Sequence, residues 1–202
     1  MADHDLSLLL QEGAAALGVS LSAGQTLGFA VYLRELNQWR RRINLSSRRD
    51  DREIIIKDFL DSLTILRYLP ENASVMDLGS GAGFPGIPVK IVRADLKVFL
   101  LEATRKRVFF LKDVQRALGL GGVEIAWSGE RRGAEGLSGI FDFVVSRAFG
   151  SLLKFAAEGS AFLKNGGVLL AMKGKKGQEE LAESLFSLEG MGLRPVFREE
   201  VR

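Results

Sequence analysis

An apolar run, Val75-Met76, ends in Asp77-Leu78 and passes into Gly79-Ser80-Gly81-Ala82-Gly83-Phe84-Pro85-Gly86. Glycines at alternate positions after a strand-end acid make a tight turn with no side chains in the way. A ligand is expected to lie directly on its main-chain N–H groups at a helix N-terminus. Pro85 and Pro88 suit that helix start, where the N–H groups have no intrahelical partner. The spacing is acid-x-G-x-G-x-G. It is neither the G-x-G-x-x-G of dinucleotide folds nor a P-loop, and no Lys-Ser or Lys-Thr follows to hold a triphosphate. A second apolar run, Leu96–Leu101, ends in Glu102, placed where Rossmann-like sheets put the acid that takes ribose hydroxyls. Together these residues point to a nucleoside cofactor, and S-adenosylmethionine fits best. Taken singly, the glycines also suit a surface loop and Glu102 a solvated strand end.

The elements that must position these groups are legible in the periodicity. Helices are expected at 5–18, at 22–43 behind Ser22 as a cap, and at about 53–67. From residue 73 strands and helices alternate. Strands are expected at 75–78, 96–101, 123–127, 141–145, 168–172 and 193–198. Helices are expected at about 86–93, 105–118, 151–163 and 178–190. Repeated βα units make an α/β, doubly wound, mostly parallel sheet with ligands at the carboxyl ends of its strands. The N-terminal helices are amphipathic and should cover one edge or face of it. We read 1–70 as a helical extension and 71–202 as the cofactor-binding core, in one compact domain.

Composition narrows the chemistry. In 202 residues there is no Cys and one His. This removes disulfides, thiolate metal sites and a cysteine nucleophile, and leaves no expected metal. No apolar run reaches membrane-spanning length and the N-terminus has no export signal, so the cytoplasm is expected. The net charge is only +3, but the cations cluster. Arg40, Arg41, Arg42, Arg48, Arg49 and Arg52 form one group, Arg105, Lys106 and Arg107 a second, and Lys173, Lys175 and Lys176 a third. Each alone suits a solvated face; three on one side of a sheet suit a polyanion. No aromatic-rich RNA-binding signature accompanies them.

Six blocks occur in one order. They are Asn44-Leu45-Ser46-Ser47, Phe59–Leu63, Asp77–Pro88, Lys106–Leu111, Ser146-Arg147-Ala148-Phe149 and Met172-Lys173-Gly174. In these blocks the chain resembles the glucose-inhibited division protein B family, also called RsmG, over about residues 30–190. The resemblance implies a Rossmann-like class I methyltransferase. It would methylate N7 of a guanosine in bacterial 16S rRNA with S-adenosylmethionine and release S-adenosylhomocysteine. The substrate would be 16S rRNA within the 30S subunit or an assembly intermediate, and the enzyme a monomer.

The resemblance also implies roles. Gly79, Gly81, Gly83 and Phe84 would wrap the methionine end of the cofactor, Glu102 would hold the ribose, and Glu130 and Arg131 would meet the adenine. Arg147 and Lys173 would stand beside the methyl group, Arg147 also touching cofactor and Lys173 also RNA. Asn44, Arg40, Arg41, Arg48, Arg105 and Arg107 would bind RNA. A structural reading stays open for Arg147 and Lys173 as strand-end ion pairs, and for Asn44 as a helix C-terminal residue. Lys57-Asp58 stands where the family commonly has Arg-His, and Gly129-Glu130-Arg131 where it has R-A-E. The family runs past residue 202 into a last antiparallel strand; either this chain is cut short, or its sheet ends differently and exposes an edge.

The chemistry agrees by exclusion. Pyrimidine C5 methylation needs a cysteine nucleophile. Adenine amino methylation usually needs an N/D-P-P-aromatic block where Ser146–Phe149 stands, and metal-assisted methylation needs clustered acids or His. Guanine N7 has a lone pair and no proton to lose, so its methylation needs positioning and no general base. Two other readings remain: a small-molecule methyltransferase whose N-terminal helices form an apolar lid, and a cofactor-binding RNA-binding protein without turnover.

Overall fold

The computed structural model describes residues 2–45, 48, 50–129 and 136–196. Five parallel strands form one sheet in the order β3-β2-β1-β4-β5. They are β1 (Ser74–Leu78), β2 (Lys97–Glu102), β3 (Val123–Trp127), β4 (Phe141–Arg147) and β5 (Leu163–Met172). The inner strands read as near-continuous apolar runs because both faces of a parallel sheet are covered. Alternate residues divide between two cores. Val75, Val98, Leu100 and Val145 face one cluster, and Met76, Phe99, Leu101 and Val144 face the other.

On the first face lie α5 (Gly86–Val92), α6 (Arg105–Leu118) and the N-terminal helix α2 (Ala23–Trp39). On the second lies α7 (Leu152–Gly159), with α8 (Gly177–Gly190) packed beside it. The chain starts with α1 (Ala2–Ala16). Residues 51–68 form one helical run of changing pitch: α3 (Asp51–Ile54), a π-helical stretch Ile55–Leu60, α4 (Asp61–Leu63) and a 3₁₀ stretch Thr64–Tyr68.

Local signals set these boundaries. Ser22 and Gln25 form a reciprocal capping box on α2, which satisfies two N–H groups that the helix leaves open. Gly119, in the left-handed region at φ 60°, closes α6. β5 starts at Leu163, five residues before the strand expected over 168–172, and further expectations differ. The helix expected over 22–43 ends at Trp39, the one over 151–163 gives way to a 3₁₀ turn at Ser160–Phe162, and residues 193–196 carry no strand. Residues 197 and 198 of that expected strand lie outside the described residues, and β5 is one edge of the sheet.

Candidate functional site

The strand order reverses direction at β1, so the crevice opens between the carboxyl ends of β1 and β4. The glycine turn fills one side of it. Gly79, Gly81 and Gly83 all have positive φ, at 74°, 59° and 92°, and their missing side chains serve different ends. A β-carbon on Gly79 would stand 2.6 Å from the Phe149 ring. One on Gly83 would stand 2.7 Å from Ile87, 2.8 Å from the Tyr32 hydroxyl and 3.0 Å from Leu111. One on Gly81 meets nothing nearer than 3.9 Å. Only Gly81 therefore opens onto free space; Gly79 and Gly83 make room for protein.

The turn's N–H groups are also spent internally. Gly79 and Ser80 donate to the Leu101 carbonyl at 2.8 and 3.2 Å, and Gly83 and Phe84 donate to the Ser80 carbonyl at 2.7 and 3.1 Å. Gly81 donates to Glu102 Oε2 at 2.8 Å. Five N–H groups of the turn are therefore taken by protein acceptors, which leaves few for the expected ligand or for a phosphate nest. That suits a cofactor without phosphate.

Two carboxylates flank the turn. Buried Glu102 accepts from Gly81 and, through Oε1, from the Thr104 N–H at 2.8 Å, with Arg107 at 3.7 Å. Each oxygen keeps a second acceptor position. Asp77 is fully buried; its Oδ2 accepts from the Gly86 N–H at 2.9 Å, and its Oδ1 is buried with no partner among the described residues. Burial pushes the Asp77 carboxyl up to about 7, against the pull of the Gly86 N–H and Arg147.

Phe84 differs from its expected place. Its buried ring packs against Tyr32 and Phe59, with centroids 5.5 and 6.0 Å away, so it builds the floor of the site rather than wrapping the ligand. Tyr32 donates its hydroxyl hydrogen to the Ala82 carbonyl, and Gln25 donates to the Val92 carbonyl at 2.8 Å. The N-terminal helix is thus fastened to both ends of the turn–helix unit.

At the end of β4, Arg147 Nη2 lies 2.8 Å from Asp58 Oδ1 and Nη1 lies 3.4 Å from Asp61. Nη1 also donates to the Lys57 carbonyl at 2.8 Å, and the guanidinium sits 4.7 Å from the centre of the Phe84 ring. Asp58 takes Arg48 as well, at 2.7 Å. Burial raises the Asp58 carboxyl above its usual range while Arg147 and Arg48 oppose it. The residue that departs from the family pattern is therefore a buried bridge between two arginines. Next to it, Ala148 takes φ 59°, which is rare for a residue with a side chain, and turns Phe149 onto Gly79. Lys173, after β5, lies 2.9 Å from Glu180 and donates to the Gly150 carbonyl. Both strand-end cations are engaged by the protein itself.

The arginine run behaves likewise. Arg40 lies 3.8 Å from Asp51, Arg48 is held by Asp58, and Arg52 lies 3.0 Å from Asp5. Acids of the same chain thus face three of the six arginines of this cluster. Arg41 and Arg42 are exposed. Arg42 lines an open groove of about 360 Å³ with Ile43, Asn44, Thr104, Lys106 and Arg107. Arg107 donates to the Asn44 carbonyl at 3.3 Å, so the second and first clusters meet there, next to Glu102. Lys173 does not line this groove. Arg105 stacks over Trp127 with its guanidinium 4.8 Å from the ring centre. Glu130, Arg131 and Arg49 lie outside the described residues. Asp58 and Phe149 stood out in the sequence only as parts of the blocks compared with the family, and neither their contacts nor Tyr32 carried a local signal.

With this geometry in hand, comparison with known proteins is informative. The profile of a family described as rRNA small subunit methyltransferase G matches residues 25–200. A relative from Geotalea uraniireducens, named Ribosomal RNA small subunit methyltransferase G, is 40% identical over 92% of this chain and 85% of its own. One of the same name from Syntrophus aciditrophicus is 43% identical over 96% and 81%. Among solved structures, a SAM-dependent methyltransferase from Aquifex aeolicus aligns with TM-score 0.54 at 24% identity, over 80% of this chain and 87% of that one. TYW2 from M. jannaschii, in complex with AdoMet, aligns with TM-score 0.59 at 20% identity, over 76% and 67%. At these identities the two structures speak for the Rossmann-like fold.

Proposed function

We propose that this chain, which belongs to the rRNA small subunit methyltransferase G family, methylates N7 of a guanosine in 16S rRNA. It is an S-adenosylmethionine-dependent rRNA methyltransferase; the nitrogen and the residues that serve it are our reading. One observation carries that reading. The crevice offers a glycine turn opening at Gly81 between two buried acids, while both strand-end cations, Arg147 and Lys173, are already engaged by carboxylates.

The residues fit the cofactor. Five N–H groups of the turn are already taken by protein acceptors, Glu102 retains acceptor positions for ribose hydroxyls, and Asp77 Oδ1, beside the turn, has no partner among the described residues. When bound, S-adenosylmethionine supplies an electrophilic methyl group on a sulfonium sulfur. Guanine N7 offers a lone pair and no proton, so no residue has to act as a base. The chain's part is to align the base with the methyl group and keep water out. Arg147 acts as a positioning residue, tying the end of β4 to Asp58 and to the Phe84 ring. Lys173 does the same for the segment after β5 through Glu180 and Gly150. Glu130 and Arg131 remain our candidates for the adenine edge.

The RNA enters by the groove of Arg42, Asn44, Lys106 and Arg107, beside Glu102. A small-molecule enzyme would close an apolar lid with its N-terminal helices. Here Phe29, Tyr32, Leu33 and Leu36 are spent in the core instead. That shared core supports reading 1–70 as an extension fused to the 71–202 core in one domain. We assign a monomer acting in the cytoplasm on the 30S subunit or its assembly intermediate. The test is transfer of labelled methyl from S-adenosylmethionine to small subunits lacking the modification. Incorporation into 16S rRNA, with none into large subunits, is expected; cofactor binding without transfer overturns the reading.

A further inference from the structure

We infer that the exposed face of α6 is a stacking ladder for an unpaired run of the ribosomal RNA, an inference that rests on the RNA reading above. Arg105, Phe109, Lys112 and Arg116 are exposed, and their spacing of four, three and four residues puts them on one stripe of the helix. The opposite side of α6 is the buried one, with Val108, Phe110, Leu111 and Val114 in the core. Phe109 is 58% exposed.

Its surroundings say what the ring fits. Arg105 precedes it by one turn and already lies over the Trp127 ring, whose indole N–H is held by the Ala103 carbonyl at 2.6 Å. Lys112 and Arg116 follow, the latter paired with Asp113 at 2.9 Å. The stripe runs about 16 Å along the helix. Its N-terminal end meets the basic groove of Arg42, Lys106 and Arg107, which adjoins Glu102 through the Thr104 N–H. Phosphates following the groove and the flanking cations would leave bases free to lie on Phe109 and on the Arg105–Trp127 stack. Aromatic platforms between cations hold single strands in this way. A duplex hides its base faces and would feel only the cations.

Exposure alone does not select this face. Phe186 on α8 is 88% exposed, but Glu183 and Glu189 stand one turn to either side of it. An anionic partner is disfavoured there.

The test is fluorescence anisotropy with labelled single-stranded oligoadenylate and with an RNA duplex of the same length, on the intact protein. Phe109→Ala leaves the core intact, and its melting temperature serves as the control. We expect it to weaken single-strand binding by roughly 5- to 150-fold, the range that one stacked base carries, and to leave duplex binding nearly unchanged. Phe109→Trp should restore affinity, and Phe186→Ala should match wild type. Wild-type binding by Phe109→Ala overturns the ladder, as do equal losses on single strand and duplex, or no single-strand binding by wild type. Methyl transfer by the wild-type enzyme is scored separately. If it persists while Phe109→Ala is neutral, the ladder alone fails; if it is absent, the RNA reading fails.

Discussion

Arg147, at the end of β4, closes an ion pair at 2.8 Å with Asp58, a buried residue of the N-terminal π-helical stretch. The pair fastens the N-terminal helical region to the carboxyl end of the sheet, and Arg48 joins it from the loop before α3. Taking one partner from a buried pair leaves a charge without compensation. Asp58→Ala should therefore lower the unfolding free energy by about 3 kcal/mol. Arg147→Ala should show part of that loss, and the double variant should lose little more than the worse single one. Chemical denaturation of the four proteins gives the coupling, expected at about 1 kcal/mol or more. Additive losses would contradict the bridge.

Asp77 makes stability depend on pH. Its carboxyl is raised by burial from 3.8 to about 7. Below about pH 4 both folded and unfolded chains hold the proton. Between about 4 and 7 the unfolded chain has released it and the folded chain has not. Stability from this group then falls as pH rises, and levels off above about 7. The whole drop is on the order of 4 kcal/mol. Asp77→Asn keeps an acceptor for the Gly86 N–H and should flatten the fall, as read from melting temperatures across that window. An unchanged slope would mean that Asp77 is ionised throughout.

The two neighbouring glycines separate fold from ligand. Gly79→Ala drives a β-carbon to 2.6 Å from the Phe149 ring and should lower the melting temperature by several degrees. Gly81→Ala meets no protein and carries only the cost of its positive φ, about 1 kcal/mol. Its effect should fall on cofactor affinity measured by calorimetry, and Gly81→Val should abolish binding. Full affinity in Gly81→Val would remove the cofactor from this turn.

Within the arginine run, position decides role. Arg41→Gln with Arg42→Gln should leave the melting temperature alone, raise the apparent KM for small subunits and flatten its salt dependence. The expected change is roughly 0.7–0.9 of a log–log unit for each phosphate that the variant no longer neutralises. Arg48→Gln should act on stability through Asp58. If the salt slope does not move in the double variant, the RNA is held elsewhere.

The repeated βα pattern, the glycine turn and Glu102 were legible because each is local: a period, a spacing and a strand end lie within a few residues of one another. The engagement of Arg48, Arg147 and Lys173 was not. Their carboxylate partners come from other elements, brought near only when the sheet and the N-terminal helices pack. A cluster of like charges reads the same in sequence whether its counterions are its own acids or a nucleic acid. The π-helical pitch of Ile55–Leu60 also escaped the reading, because its apolar spacing is close to that of an ordinary helix. The end of α2 at Trp39 was overrun for a similar reason: Arg40–Arg42 are good helix formers and carry no stop signal.

The atom that receives the methyl group separates guanine-N7 transfer from every other rRNA methylation. Small-subunit RNA methylated by the purified protein with labelled S-adenosylmethionine should be digested to nucleosides and resolved by chromatography with mass detection. Label is expected in 7-methylguanosine alone, from one position of 16S rRNA. Label in a methylated adenosine, in a pyrimidine, or at another atom of guanosine would contradict guanine-N7 transfer.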